Sequence, residues 1–206
     1  MGVISNGTTL LDAGALDSGV VTGATTLIKT LTASSSSTLD FVHGTSNVVL
    51  DGTYKEYIFK YIDIHPASVA QLTVNFRDGG SNFDATKTST TSNLYHTEAD
   101  AGGLIYRTAW DLAQSTSDQI IAQELGNSND ASGSGTLHLF DPASTTFVKH
   151  FIGTTTYYQQ WGGESSFQVY YAGYCNVTAA IDGVKFEMSS GNIDAGTIKL
   201  YGLKDS

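Results

Sequence analysis

Apolar and polar residues alternate along most of this chain with a period of two, the spacing of half-buried strands. Near the C-terminus Val184, Phe186 and Met188 alternate with Lys185 and Glu187, and Ile198 and Leu200 alternate with Thr197, Lys199 and Tyr201. Ser189-Ser190-Gly191-Asn192 between them has turn chemistry, so residues 181–202 read as a strand pair that closes the sheet. Ala70, Leu72, Val74 and Phe76 alternate with Gln71, Thr73, Asn75 and Arg77, the pattern of a strand with one wet face. Residues 54–64 differ, because Tyr57, Phe59 and Tyr61 fall on one face while Ile58, Ile62 and Ile64 fall on the other. A strand apolar on both faces is either central and covered twice, or covered once by the core and once by another subunit. The second case makes Tyr57, Phe59 and Tyr61 a candidate subunit interface.

Shorter segments continue the pattern. Leu39, Phe41 and His43 turn through residues 44–47 into Val48-Val49-Leu50, which reads as a hairpin, and residues 136–140 and 146–152 flank Asp141-Pro142-Ala143-Ser144 as a second one. Two aromatic strands at 155–161 and 167–171 are divided by Gly162-Gly163-Glu164, residues 119–125 read as another strand, and only residues 111–114 suggest a helical turn. Short strands at intervals of about 8–12 residues with almost no helix predict an all-β, jelly-roll-like antiparallel β-sandwich. Residues 1–23 carry single or paired apolar residues without a sustained period and cannot form a core of their own. They read either as a loose terminus or as an extended N-terminal arm ordered by a partner, with Leu10, Leu11, Leu16, Val20 and Val21 as anchors. Residues 24–206 then form a single β-sandwich domain.

Composition narrows the function classes. The net charge is -10, and the 10 Lys and Arg residues never cluster, which argues against a nucleic-acid partner or an anionic membrane surface. No run approaches the ~20 apolar residues of a membrane helix. The single Cys175 lies in the apolar stretch 170–175 and reads as a buried thiol. No nucleophile elbow, phosphate loop, dinucleotide fingerprint or zinc-protease helix is present, so no cofactor is implied. His96 and Glu98, two residues apart, could share a strand face as metal ligands of a cupin-like metalloenzyme. Asp78 and Asp84 bound a glycine-containing loop with the oxygen ligands that calcium needs, although without EF-hand spacing. His138 and His150 flank the 141–144 turn as candidate cross-strand neighbours. Tyr157, Tyr158 and Trp161 are a candidate platform for stacking a host-surface glycan.

Three segments carry a resemblance. They are Tyr54-Lys55-Glu56-Tyr57-Ile58-Phe59-Lys60-Tyr61-Ile62-Asp63-Ile64-His65-Pro66, then Val148-Lys149-His150-Phe151, and then Met188-Ser189-Ser190-Gly191-Asn192-Ile193-Asp194-Ala195-Gly196-Thr197-Ile198-Lys199-Leu200-Tyr201-Gly202-Leu203. In that order, within residues 24 to 203, the chain resembles virion structural proteins of marine tailed phages. The resemblance implies a non-enzymatic β-sandwich on the particle surface, either a capsid decoration or head-fibre protein or a tail component. It offers no catalytic residues to carry over. The expectation is a homotrimer in the virion, fastened through its arm to major capsid or tail proteins. The alternatives are a carbohydrate-binding, host-receptor-binding module of a tail fibre and the cupin-like metalloenzyme.

Overall fold

A computed structural model describes residues 3–5, 8–12, 15–16, 24–160 and 164–204. Three short strands open the chain, β1 (Val3–Ser5), β2 (Thr8–Asp12) and β3 (Ala15–Leu16). Twelve longer ones follow: β4 (Thr25–Thr32), β5 (Thr38–Val42), β6 (Glu56–Pro66), β7 (Ala70–Arg77), β8 (Lys87–Thr97), β9 (Gly102–Tyr106), β10 (Gln119–Leu125), β11 (Gly133–Phe140), β12 (Lys149–Gln159), β13 (Ser165–Cys175), β14 (Gly183–Met188) and β15 (Ile193–Leu203). The only helical turn among the described residues is a 3-10 turn at Thr108–Trp110, just before the segment where a turn was expected.

The twelve strands make an antiparallel, jelly-roll-like sandwich. One layer has the order β4-β15-β6-β11-β12-β13-β8-β9 and the other β10-β7-β14-β5. The layers join along one side, where Leu125 at the end of β10 pairs with Gln159 at the end of β12. Two connections cross between layers together, β6 into β7 and β14 into β15, so that β6 lies beside β15 in one layer while β7 lies beside β14 in the other. The expected closing hairpin is therefore not formed: β14 and β15 belong to different layers, and the turn at 189–192 is a crossover. The alternation read from the sequence holds, but the two apolar faces meet one core from opposite sides. Nor do residues 48–50 pair with β5, which pairs with β14 instead. The 44–48 turn closes on itself through Val48 N–H to Thr45 O, and Val48 and Leu50 plug the end of the core.

Rings from both layers interlock in that core. Phe41 of β5 and Phe186 of β14 meet Phe59 of β6 at centroid distances of 5.3 and 5.8 Å, and Phe76 of β7 meets Phe151 of β12 at 5.0 Å. Each such pair adds about 0.5–1.5 kcal/mol beyond its buried area. Tyr57, Phe59 and Tyr61 are 0, 0 and 1 % exposed. This corrects the expectation that they form a subunit interface, because the chain's own second layer covers them. The isoleucine face of β6 also divides. Asp63 adopts a left-handed φ of 53°, and the pairing with β11 slips between Tyr61 and Ile64. That bulge adds one residue and returns Ile64 to the core, leaving Ile62 on the outside.

Buried hydroxyls stitch the centre of the larger layer together. The Tyr61 hydroxyl lies 2.6 Å from Thr155 Oγ1 and 3.2 Å from the Tyr171 hydroxyl, and it donates to Thr154 O at 2.9 Å. Gly153, which reads as a break in the sequence, lies inside a continuous β12, and its missing side chain leaves room for the Tyr171 ring. Tyr61→Phe removes one hydroxyl and leaves buried polar partners under-satisfied. It should lower unfolding free energy by about 2 kcal/mol, read as a urea midpoint shift at neutral pH. A loss below ~0.5 kcal/mol would contradict a structural role for the network.

At the N-terminus β2 pairs with both β1 and β3, with Leu11 opposite Leu16. Among the described residues these strands pair with no strand of the sandwich. Leu10, Leu11 and Leu16 lie in β2 and β3, whereas Val20 and Val21 fall outside the described residues.

Candidate functional site

The larger layer exposes its outer face over three strands of equal length. β12, β13 and β8 pair in unbroken register from Lys149, Cys175 and Lys87 at one end to Gln159, Ser165 and Thr97 at the other. Period two sends alternate residues inward and outward, which gives five outward rows about 27 Å long at ~3.4 Å per residue. His150, Tyr174 and Thr88 form the first row, and Ile152, Ala172 and Thr90 the second. Thr154, Tyr170 and Ser92 form the third, Thr156, Gln168 and Leu94 the fourth, and Tyr158, Ser166 and His96 the last. None of the fifteen is Lys, Arg, Asp or Glu.

This face is hollowed along its length. A depression of about 550 Å³ lies between Phe140, His150, Ile152 and Tyr174. A smaller one of about 170 Å³ lies at Ser92, Thr154 and Tyr170, sharing Ile152 and Ala172 with the first. At the far end about 490 Å³ opens between His96, Glu98, Ser134, Tyr158 and Ser166. Acidic residues appear only there. The Tyr158 hydroxyl donates to the Glu164 carboxylate, which pushes its pKa up to about 12 and holds the ring at the groove mouth.

The expected aromatic platform is divided by the same alternation. Tyr157 points inward and is 3 % exposed, its hydroxyl accepting the Gln123 N–H at 3.1 Å, while Tyr158 points outward into the groove. Trp161 lies outside the described residues. The rings that share the open face with Tyr158 are Tyr170 and Tyr174. They were legible in the sequence as the phase opposite to Tyr171, provided that period two is carried through Gly153 and Gly173 without a break.

The expected metal ligands do not assemble. His96 Nε2 is 3.3 Å from Asp100 Oδ1, with both side chains mostly exposed, and Glu98 follows the end of β8 with its N–H donating to Glu164 O. In the loop at 78–84, Asp182 is the anchor: it accepts the Gly79 N–H and a two-pronged bond from Arg77 at 2.8 and 2.9 Å. Asp78 and Asp84 gather no ligand set. Among the described residues no three His, Cys, Asp or Glu side chains converge on a position where a metal ion could sit. His138 and His150 are not directly opposite either. His138 pairs with Ile152 and holds Glu56 at 2.6 Å, whereas His150 pairs with Tyr174.

At one end of the core Cys175 lies between two lysines, paired across the strands with Lys149 and Lys87, and all three are 0 % exposed. Burial pushes the thiol up to about 12 against the pull of the two ammonium groups, so Cys175 is held as an unreactive thiol. Burial also depresses Lys87 to about 8. Each lysine ties a loop to the sheet, Lys87 Nζ donating to Ser117 O at 2.8 Å and Lys149 Nζ to Val177 O at 2.6 Å. No protein-family model, curated protein or solved structure matches the chain.

Proposed function

We propose that this chain is a non-enzymatic structural protein of a tailed-phage particle, a capsid decoration or head-fibre protein or a tail component, fastened by its N-terminal arm. The observation that carries the reading is the strand pairing of residues 3–16. Among the described side chains the core of the sandwich runs from Ala33 to Leu200. The three arm strands, of two to five residues, pair only among themselves among the described residues. A sheet that small is not stable alone in water, and on the particle a partner would supply its second layer. Deleting residues 1–23 should leave the thermal transition of the sandwich within ~2 °C and abolish incorporation into particles, scored by mass spectrometry of purified virions. Unchanged incorporation would remove the arm from the proposal.

Self-association as a trimer belongs to the same reading, with a surface other than Tyr57, Phe59 and Tyr61. Among the described residues β4 and β9 are the edge strands of the larger layer, and each presents an exposed leucine, Leu27 at 53 % and Leu104 at 70 %. Unlike edges meeting head to tail close a ring. A mass in solution and on the particle equal to one chain would defeat the trimer.

A further inference from the structure

We propose that the outer face of β8, β12 and β13 is a groove for an uncharged oligosaccharide. This goes beyond the structural role and stands without it. A sugar ring offers an apolar C–H face for stacking and a rim of hydroxyls for hydrogen bonding, and the groove supplies both kinds of partner in alternation. Tyr174, Tyr170 and Tyr158 occupy the first, third and last rows, about 14 Å apart along the strands at ~3.4 Å per residue. Between them Thr154, Thr156, Gln168 and Ser92 present donors and acceptors. The floor is rigid, since three fully paired strands hold every one of these side chains at a set spacing.

Charge selects among ligands. A chain of net charge -10 repels polyanions, and the five rows contain no Lys or Arg to bind sulfate, phosphate or carboxylate. An acidic glycan or a nucleic acid has no counter-ion on this face. A second copy of the chain fits worse, because protein interfaces put apolar residues at the centre and polar ones at the rim. Here the central row is Thr154, Tyr170 and Ser92, and the most apolar hollow lies at one end.

Isothermal titration of the full chain with cellohexaose, laminarihexaose, mannohexaose and chitohexaose, and with hexagalacturonate as the anionic comparator, tests the proposal. At least one neutral hexasaccharide should bind with an affinity insensitive to salt, and hexagalacturonate should not bind. Tyr170→Ala and Tyr174→Ala should each weaken binding about tenfold or more. Ile62→Ala, on the same layer but outside the groove, should leave it unchanged. Tyr170 is 43 % exposed, so its truncation leaves the core intact, and Tyr174→Ala gives an independent reading. Absence of binding to all four neutral sugars would overturn the proposal. Binding that survives both tyrosine changes would overturn it too. A change in assembled mass caused by Tyr170→Ala, without neutral-sugar binding, would reassign the face to a contact between copies.

Discussion

Gly196→Ala is expected to destabilise the sandwich by about 3 kcal/mol or more, lowering its melting temperature by roughly 10 °C. Gly196 has φ +117°, a region essentially closed to residues with a side chain. A Cβ there would lie 2.6 Å from Asp63 O and 2.8 Å from Ile64 Cα, both of them backbone atoms of the β6 bulge. The pairing of β15 with β6 slips on either side of Ala195, so two irregularities face one another and only a bare backbone lets them approach. Strain of ~1–3 kcal/mol and forced displacement of a further ~1–3 kcal/mol add, because neither strand can move without unburying Ile64. Gly79→Ala is the control. Its φ of +99° is just as unusual, but nothing lies within 4 Å of the new carbon, so only the strain of ~1–3 kcal/mol applies. Equal losses at the two positions would show that backbone strain, and not the contact with β6, sets the cost.

The second large effect is cooperative unfolding between pH 10 and 12. Burial pushes Tyr57 and Tyr61 up to about 12, and it drives Tyr157 and Tyr171 upward as well. The unfolded chain releases tyrosine protons from pH ~10, whereas the folded one holds them until about 12. Stability is therefore fully present below pH 10 and is lost as pH rises towards 12. Each of these two shifts costs on the order of 3 kcal/mol, so Tyr57 and Tyr61 together reach the low end of the ~5–15 kcal/mol that holds a domain folded. Below pH 10 two opposing effects overlap only in part. Lys87, depressed to about 8, adds stability from pH 8 to ~10.5, while Cys175, raised to about 12, removes it from pH ~9 upward. The expected profile rises from pH 8 to about 9, levels off towards pH 10 and then falls steeply. Tyrosinate absorbance and near-ultraviolet circular dichroism should change together in one transition. Gradual tyrosine ionisation at constant dichroism up to pH 12 would refute the coupling.

Both effects depend on residues whose importance is invisible locally. Gly196 opens an ordinary strand in the sequence, and Gly153 reads as a gap between two strands; each matters because of a ring or a bulge that another strand brings to it. Tyr57, Phe59 and Tyr61 were legible as one apolar face, but a face carries no label saying whether the chain itself or a partner covers it.

What the sequence determined by itself was the all-β class, the inward and outward phases of the strands and the burial of Cys175. These follow from period-two alternation and residue polarity, which act over a few neighbouring residues. Only the tertiary structure decided that β14 and β15 part to opposite layers, that the chain's own second layer covers Tyr57, Phe59 and Tyr61, and that Ile64 rejoins the core through a bulge. Register and layer are set by which faces can bury against each other across the whole chain. A one-residue slip moves every side chain beyond it to the other face, and no local pattern records that slip.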